Sequence, residues 1–221
     1  YLGNLGLSTE NLVEVLYNYE NSIIQKIYFV DGVNQLRFFN LRQSIENGDT
    51  INLIDINPSS IDVVSEFELS QPEAVIEGGG SHTAGMIQYA YNLYVLNGSQ
   101  TTISPLSELK PITRGFNLSG GGEVNEVVGK SVKVTIPQVD KRFTHIKVYS
   151  VKYTSFNENP EVTIVVDKEV NKSSNSGFTF IDNGNQGTSI SIEAFIFLGS
   201  NPIIPRHIAT KDNRLFPINI T

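Results

Sequence analysis

Apolar residues recur along this chain at every second position, in short bursts separated by clusters of Gly, Asn, Asp and Ser. A period of two is the repeat of a strand with one buried face, and the clusters carry turn chemistry. In Gln88-Tyr89-Ala90-Tyr91-Asn92-Leu93-Tyr94-Val95, the residues Tyr89, Tyr91, Leu93 and Val95 fall on one face. Val132, Val134 and Ile136 alternate with Ser131, Lys133 and Thr135 in the same way. No long helical stripe interrupts the pattern. Residues 12–19 would pass as one or two helical turns, but Leu-Val-Glu-Val-Leu-Tyr reads equally as a strand, and strand-like neighbours decide for the strand. The expected fold class is all-β, with an antiparallel meander, propeller-like in pattern, at the ends and sandwich material between them.

Four regions are predicted. Residues 1–70 form a β-meander segment with strands at 12–19, 23–30 and 36–41. Its turns are Glu20-Asn21-Ser22 and Asp31-Gly32-Val33-Asn34, and Asp-Gly is a tight-turn signal. Asn57-Pro58-Ser59-Ser60 marks a loop in the less regular stretch that follows. Residues 71–115 form a partial sandwich: the tyrosine strand, an Asn97-Gly98 turn and a return at 101–103. Ser104-Pro105-Leu106-Ser107 ends that hairpin, because proline lacks the N–H a ladder needs. Residues 116–187 form a further sandwich, opening on Gly120-Gly121-Gly122 as a flexible linker and continuing with strands at 132–136, 145–153, 162–166 and 178–181. Residues 188–221 are a closing segment with an apolar strand at 190–198, expected to pack with 1–70. Both ends repeat one pattern, a polar turn and then an apolar strand: Asp31-Gly32 before 36–40, and Asn213-Arg214-Leu215-Phe216 before Ile218-Asn219-Ile220. Meanders of this kind build propeller blades and tolerate domains inserted in their loops. On that reading the middle is an insertion, with Gly78-Gly79-Gly80 and Gly120-Gly121-Gly122 as flexible breaks; the alternative is a plain string of sandwiches.

Composition narrows the setting. The 221 residues begin at Tyr1, as expected of a processed product or a segment of a longer polypeptide. A chain of this length buries roughly 70% of its unfolded surface without covalent staples. It has no Cys, which fits a reducing cytoplasm or stability through packing and assembly. The net charge of −7 disfavours tight binding of nucleic acid, since phosphate affinity rests on Lys and Arg and these occur here only in scattered pairs such as Lys141-Arg142. A surface past which DNA slides stays open. No apolar run approaches membrane-spanning length, and nothing at the start resembles a signal peptide. Sequons at Asn97, Asn117, Asn171 and Asn219 are chance matches in an Asn-rich chain.

Candidate chemistry is sparse. Gly129-Lys130-Ser131 ends like a phosphate-binding loop, but Val124 stands where the first glycine is needed, and a strand follows instead of a helix. His82, His145 and His207 lie far apart and lack the local spacing of a zinc site. Asp182-Asn183-Gly184-Asn185-Gln186-Gly187 is rich in oxygen ligands but lacks the twelve-residue calcium-loop pattern; a polar turn explains it. Carboxylates such as Glu123, Glu126 and Asp140 are scattered, and no Gly-x-Ser-x-Gly elbow occurs. No catalytic, cofactor-binding or metal residues are expected, nor any cofactor; the chain is not expected to be an enzyme.

Two resemblances add to this reading. Gly85-Met86-Ile87-Gln88-Tyr89-Ala90-Tyr91 through Asn97-Gly98-Ser99-Gln100-Thr101-Thr102-Ile103-Ser104-Pro105 resembles the late hairpin of a fibronectin type III-like domain. Residues 132–137 and 142–153 resemble the early strands of a following copy, without the usual strand-B tryptophan, since the chain has no Trp. Tyr19-Glu20-Asn21 with Gln25-Lys26-Ile27-Tyr28-Phe29-Val30-Asp31-Gly32-Val33-Asn34-Gln35-Leu36-Arg37, then residues 85–107, then Lys211-Asp212-Asn213-Arg214-Leu215-Phe216, resemble in order segments of large virion proteins of crAss-like phages; Phe29 stands where Trp is expected. The resemblance implies a structural protein of the tail hub, neck or genome-stabilising type. Portal, neck or tail proteins would be its partners, in a homo-oligomeric ring. Its place would be the virion, after synthesis in the host bacterial cytoplasm. A bacterial surface adhesin or glycan-binding sandwich is the alternative, and a fragment of a polysaccharide-cleaving propeller ranks third.

Overall fold

The computed structural model describes residues 5–22, 24–41, 61–65, 68–96, 99–115, 121–140, 143–170, 177–185, 187–199, 203–212 and 214–220. In chain order the strands are β1 (Glu14–Tyr19), β2 (Gln25–Val30), β3 (Arg37–Asn40), β4 (Val64–Ser65), β5 (Glu73–Gly78), β6 (Gly85–Tyr94), β7 (Gln100–Thr101) and β8 (Lys110–Ile112). Then come β9 (Lys130–Ile136), β10 (His145–Tyr153), β11 (Glu161–Glu169), β12 (Phe178–Asp182) and β13 (Thr188–Ile190). A helix α1 (Ile192–Leu198) precedes the closing hairpin of β14 (Pro205–Lys211) and β15 (Arg214–Ile220). The fold is all-β; among the described residues the long strand pairs, such as β1–β2, β6–β10 and β10–β11, are antiparallel, and the short β4–β7 pair is parallel. The chain divides into two compact units: Tyr1–Glu66 with Leu96–Thr101 and Asn201–Thr221, and Phe67–Val95 with Thr102–Ser200. The predicted loop at 57–60, the Asn97-Gly98 turn, the Lys141-Arg142 pair, Asn117, Asn171, Gly120, Gln186 and Asn213 lie outside the described residues.

In the first unit, β1, β2 and β3 form an antiparallel meander in that order. Asp31 builds its second turn: its Oδ1 accepts the Val33 and Asn34 amides at 3.0 and 2.7 Å, and its Oδ2 accepts the Asn34 side chain at 2.6 Å. Burial pushes the Asp31 carboxyl up, but these bonds and the Arg37 charge outweigh it and hold its pKa below the ordinary value. One face of the meander meets the closing hairpin. Val30 and Leu36 pack with Ile208, joined by Leu16, Tyr28 and Leu215. Glu14 fastens the two pieces, accepting the Ile208 amide at 3.0 Å and lying 2.9 Å from His207 Nδ1.

The second unit is a sandwich. Its smaller sheet runs β12-β9-β5, and its larger sheet runs β13-β11-β10-β6, with β8 also paired to β6. Between them Tyr89, Tyr91 and Leu93 meet Val132, Val134, Ile136, Ile146 and Val148 in the main core, so the alternating tyrosines face inward as their period requires. The pairing corrects the division into separate sandwiches at 71–115 and 116–187. β5 lies against β9, and β6 pairs with β10 along its length, from His145↔Tyr94 to Tyr153↔Met86. Both regions therefore supply strands to both sheets of one sandwich. The reason is visible in β6, which is buried on both faces and cannot serve as a solvated edge.

Other boundaries also shift. Residues 188–199 belong to the sandwich unit, since β13 pairs with β11. The stretch read as a strand at 190–198 is the helix α1. Ser191 caps it by accepting the Ala194 amide at 3.2 Å, and Gly199 ends it. Each glycine run holds a close approach: a Cβ on Gly80 would sit 2.1 Å from the Lys130 carbonyl oxygen, and one on Gly122 would sit 2.5 Å from Ala84 Cβ, while Gly79 and Gly121 face open space. The regular strand β7 stops at Thr101, before Pro105, and serines on either side of that proline keep contact with β6. The Ser104 and Ser107 amides donate to the Tyr91 and Tyr89 carbonyls at 2.8 and 2.7 Å, while their hydroxyls accept the Tyr91 and Tyr89 amides at 3.0 and 2.9 Å. This segment and α1 cover the outer face of the larger sheet, where Ile103, Leu106, Phe195 and Leu198 pack on Tyr149, Val151 and Val162.

Candidate functional site

Of the residues singled out in the sequence, His82 and Asp182 are brought together, and most of the others stay apart. Lys130 and Ser131 open β9 as buried strand residues, and the Ser131 hydroxyl donates to the Gly78 carbonyl at 3.0 Å. His145 stacks on Tyr94 with ring centres 5.0 Å apart, and His207 lies against Glu14 in the other unit. Glu126 is tied to Arg114 and to the Glu123 amide, and the first of these bonds chiefly holds its pKa down. Among the described residues no group of three His, Cys, Asp or Glu is placed to hold a metal ion.

Two features of the sandwich do bring polar groups together. The first is a buried network around Asp182, the first residue of the polar turn. Asp182 is also the last residue of β12, and its buried carboxylate meets Tyr89 of the larger sheet. Tyr89 donates its hydroxyl to Asp182 Oδ2 at 2.9 Å, Gly184 donates its amide to Oδ1 at 2.9 Å, and His82 Nε2 lies 3.4 Å from Oδ1. Burial pushes the Asp182 carboxyl up, but bonds from His82, Gly184 and Tyr89 outweigh this and keep its pKa below the ordinary aspartate value. Burial, with the Asp182 charge beside it, drives the Tyr89 hydroxyl strongly upward, so the phenol stays protonated and donates. The half-buried Lys152 donates to the Thr83 hydroxyl nearby; burial lowers its pKa, while Glu161 and Asp182 act the other way. This arrangement locks the turn onto the core. Tyr89, His82 and Asp182 are all buried, so none is open to a substrate.

The second feature is a groove of about 650 Å³ at one end of the sandwich, lined by Met86, Gln88, Leu109, Tyr153, Phe156 and Glu158, among others. Gly85 shapes it: a Cβ there would lie 2.5 Å from the Tyr153 carbonyl oxygen, so only glycine lets β6 approach the end of β10 so closely. Phe156 is fully exposed at the rim. The lining carries one carboxylate, Glu158, and no histidine or lysine, so it offers stacking and hydrogen bonding without an acid–base pair. Sequence reasoning did not single out Phe156; a lone aromatic in the polar run Thr154-Ser155-Phe156-Asn157-Glu158 was the available signal.

Comparison with known proteins places this geometry in a lineage. The description of the crassvirus muzzle protein matches residues 1–221. The muzzle protein of Bacteroides phage crAss001 is 31% identical over 222 aligned residues, covering 100% of this chain and 15% of that protein. The chain thus spans about 15% of the length of the curated relative it matches. The resemblance to crAss-like phage proteins, first visible at Tyr19-Glu20-Asn21 and in 25–37, holds over the whole chain. This chain belongs to the crassvirus muzzle protein family.

Proposed function

We propose that this chain is a structural part of a tailed-phage virion that joins tail-hub or neck components and helps to retain or conduct the genome. The observation that carries the reading is the match of the entire chain to the muzzle family. Partners would be portal, neck or tail proteins in a ring of identical copies. The work would be done by surfaces, not by a catalytic cluster. The net charge of −7 agrees with a wall past which DNA moves rather than one that grips it. The sandwich is fibronectin type III-like in this reading. In immunoglobulin-type sandwiches the early strand C and the late strand F are neighbours in one sheet. Here β10 and β6 are such neighbours, with the late-type strand preceding the early one in the chain. Immunoelectron microscopy of intact particles with antibodies against residues 67–200 tests the proposal. Label at the neck or tail supports it, and absence of the protein from purified particles overturns it.

A second reading, a glycan-binding module, draws on the groove with exposed Phe156 beside Glu158. It expects oligosaccharide-induced NMR shifts at 153–160 that Phe156→Ala abolishes; no shift with a broad glycan panel sinks it.

A further inference from the structure

We infer that the outer face of the β1–β3 meander is a packing surface for a further β-layer of the same, longer polypeptide. The register assigns the faces. Leu16, Tyr28 and Val30 point toward Ile208 and the closing hairpin. On the opposite face Val15, Tyr17 and Tyr19 of β1 stand beside Phe29, Ile27 and Gln25 of β2, with Phe39 next to Ile27 on β3. A sheet that keeps one face in water carries polar residues there. Here the outer face is apolar apart from Gln25 and Arg37, and on it the buried Phe29 ring stacks on Phe39 at 5.6 Å.

The outer face is closed at its β3 end, where Arg37 Nε pairs with Asp62 at 2.7 Å and the guanidinium donates to the Leu5 carbonyl. Over β1 it is open: Val13 is 40% exposed, Val15 60%, Tyr17 53% and Tyr19 58%. The row holds no lysine or proline of the kind that protects a solvated edge. A second row, Phe216, Ile218 and Ile220, is exposed on β15. Contiguous apolar rows of this sort mark a contact surface. The choice of occupant follows from length. The chain covers 15% of its muzzle relative, so most of such a polypeptide lies outside these residues. A layer tethered in the same chain meets this face at high effective concentration as it folds, before an uncovered row can pair with foreign strands.

The sequence has no Cys, so Tyr17→Cys sets one thiol on the face and Val33→Cys, at an exposed turn, gives a reference. Maleimide labelling at each site is followed by mass spectrometry in the 221-residue chain and in the dilute full-length polypeptide. The expected result is equal, fast labelling at both sites in the shorter chain, with residue 17 slowed at least roughly tenfold and residue 33 unchanged in the full-length polypeptide. Equal labelling in both proteins overturns the inference, even if assembled particles protect the site, because the cover would then be another protein. Protection already present in the shorter chain also overturns it: if concentration-dependent, the occupant is a second copy; if not, the face is covered from within. Should Tyr17→Cys misfold, Val15→Cys reports on the same face.

Discussion

The sandwich unit covers both faces of its larger sheet. The β12-β9-β5 sheet lies on one side, and α1 with the serine-rich segment before β8 lies on the other, leaving Tyr89, Tyr91, Leu93, Ile146 and Val148 without solvent contact. In the unit built on the meander, the described residues cover one face with the closing hairpin and the other only over β2 and β3. Among the described residues its core cluster is Val30, Leu36 and Ile208 with a few partly buried neighbours, and the rows on β1 and β15 stay in solvent. The difference separates a body that supplies its own core from one whose sheets ask for further layers, since a few strands with one covered face are marginal in water. For a chain that spans about 15% of its muzzle relative, exposed apolar rows therefore carry more information about partners than any pocket does.

The largest expected effect sharpens this contrast from the sandwich side. Tyr89→Ala or Tyr91→Ala should destabilise that unit by about 3–5 kcal/mol in denaturant unfolding, as for other buried aromatic truncations. Losses under about 1 kcal/mol would mean the core is not closed as described. Next comes the Asp182 network. Asp182→Ala leaves the Tyr89 hydroxyl and the Gly184 amide without their acceptor, at a cost on the order of 3 kcal/mol. Its pH dependence has a definite sign. The folded carboxyl has a lowered pKa, so its contribution is complete above the unfolded value of about 3.9 and fades as pH falls through the folded one. Wild type and Asp182→Asn should thus converge in acid; a gap independent of pH would remove the carboxylate from the account. The smallest effect lies in the other unit. Glu14→Ala should speed exchange of the Ile208 amide by roughly tenfold without changing sandwich stability. An unchanged Ile208 rate would show that Glu14 does not fasten the closing hairpin.

Much of this was legible wherever structure is local. The tyrosine face, the Val132-Val134-Ile136 strand and the Asp31-Gly32 turn follow from period two and turn chemistry, and all lie where that chemistry puts them. Strand partners were not legible. β6 pairs with β10 more than fifty residues on, and only the doubly buried pattern of β6 hinted that it needed a neighbour on each side. The helix α1 was missed because Ile-Glu-Ala-Phe-Ile-Phe-Leu is apolar but for Glu193; its signal lay in the Ser191 and Gly199 caps. The polar turn at 182–185 was recognised, but the burial of its first carboxylate depends on Tyr89 and His82, each about a hundred residues away. The exposed rows on β1 and β15 look in sequence like ordinary strand faces, because a period-two pattern does not say which side has been left uncovered.

Native-state hydrogen exchange of the 221-residue chain tests the contrast most directly. The account predicts that the Tyr89, Tyr91 and Leu93 amides exchange only through global unfolding of the sandwich, and that amides of β1, β14 and β15 exchange at least roughly a hundredfold faster. Equal protection in the two units would contradict it, because the meander and its hairpin would then complete their own core.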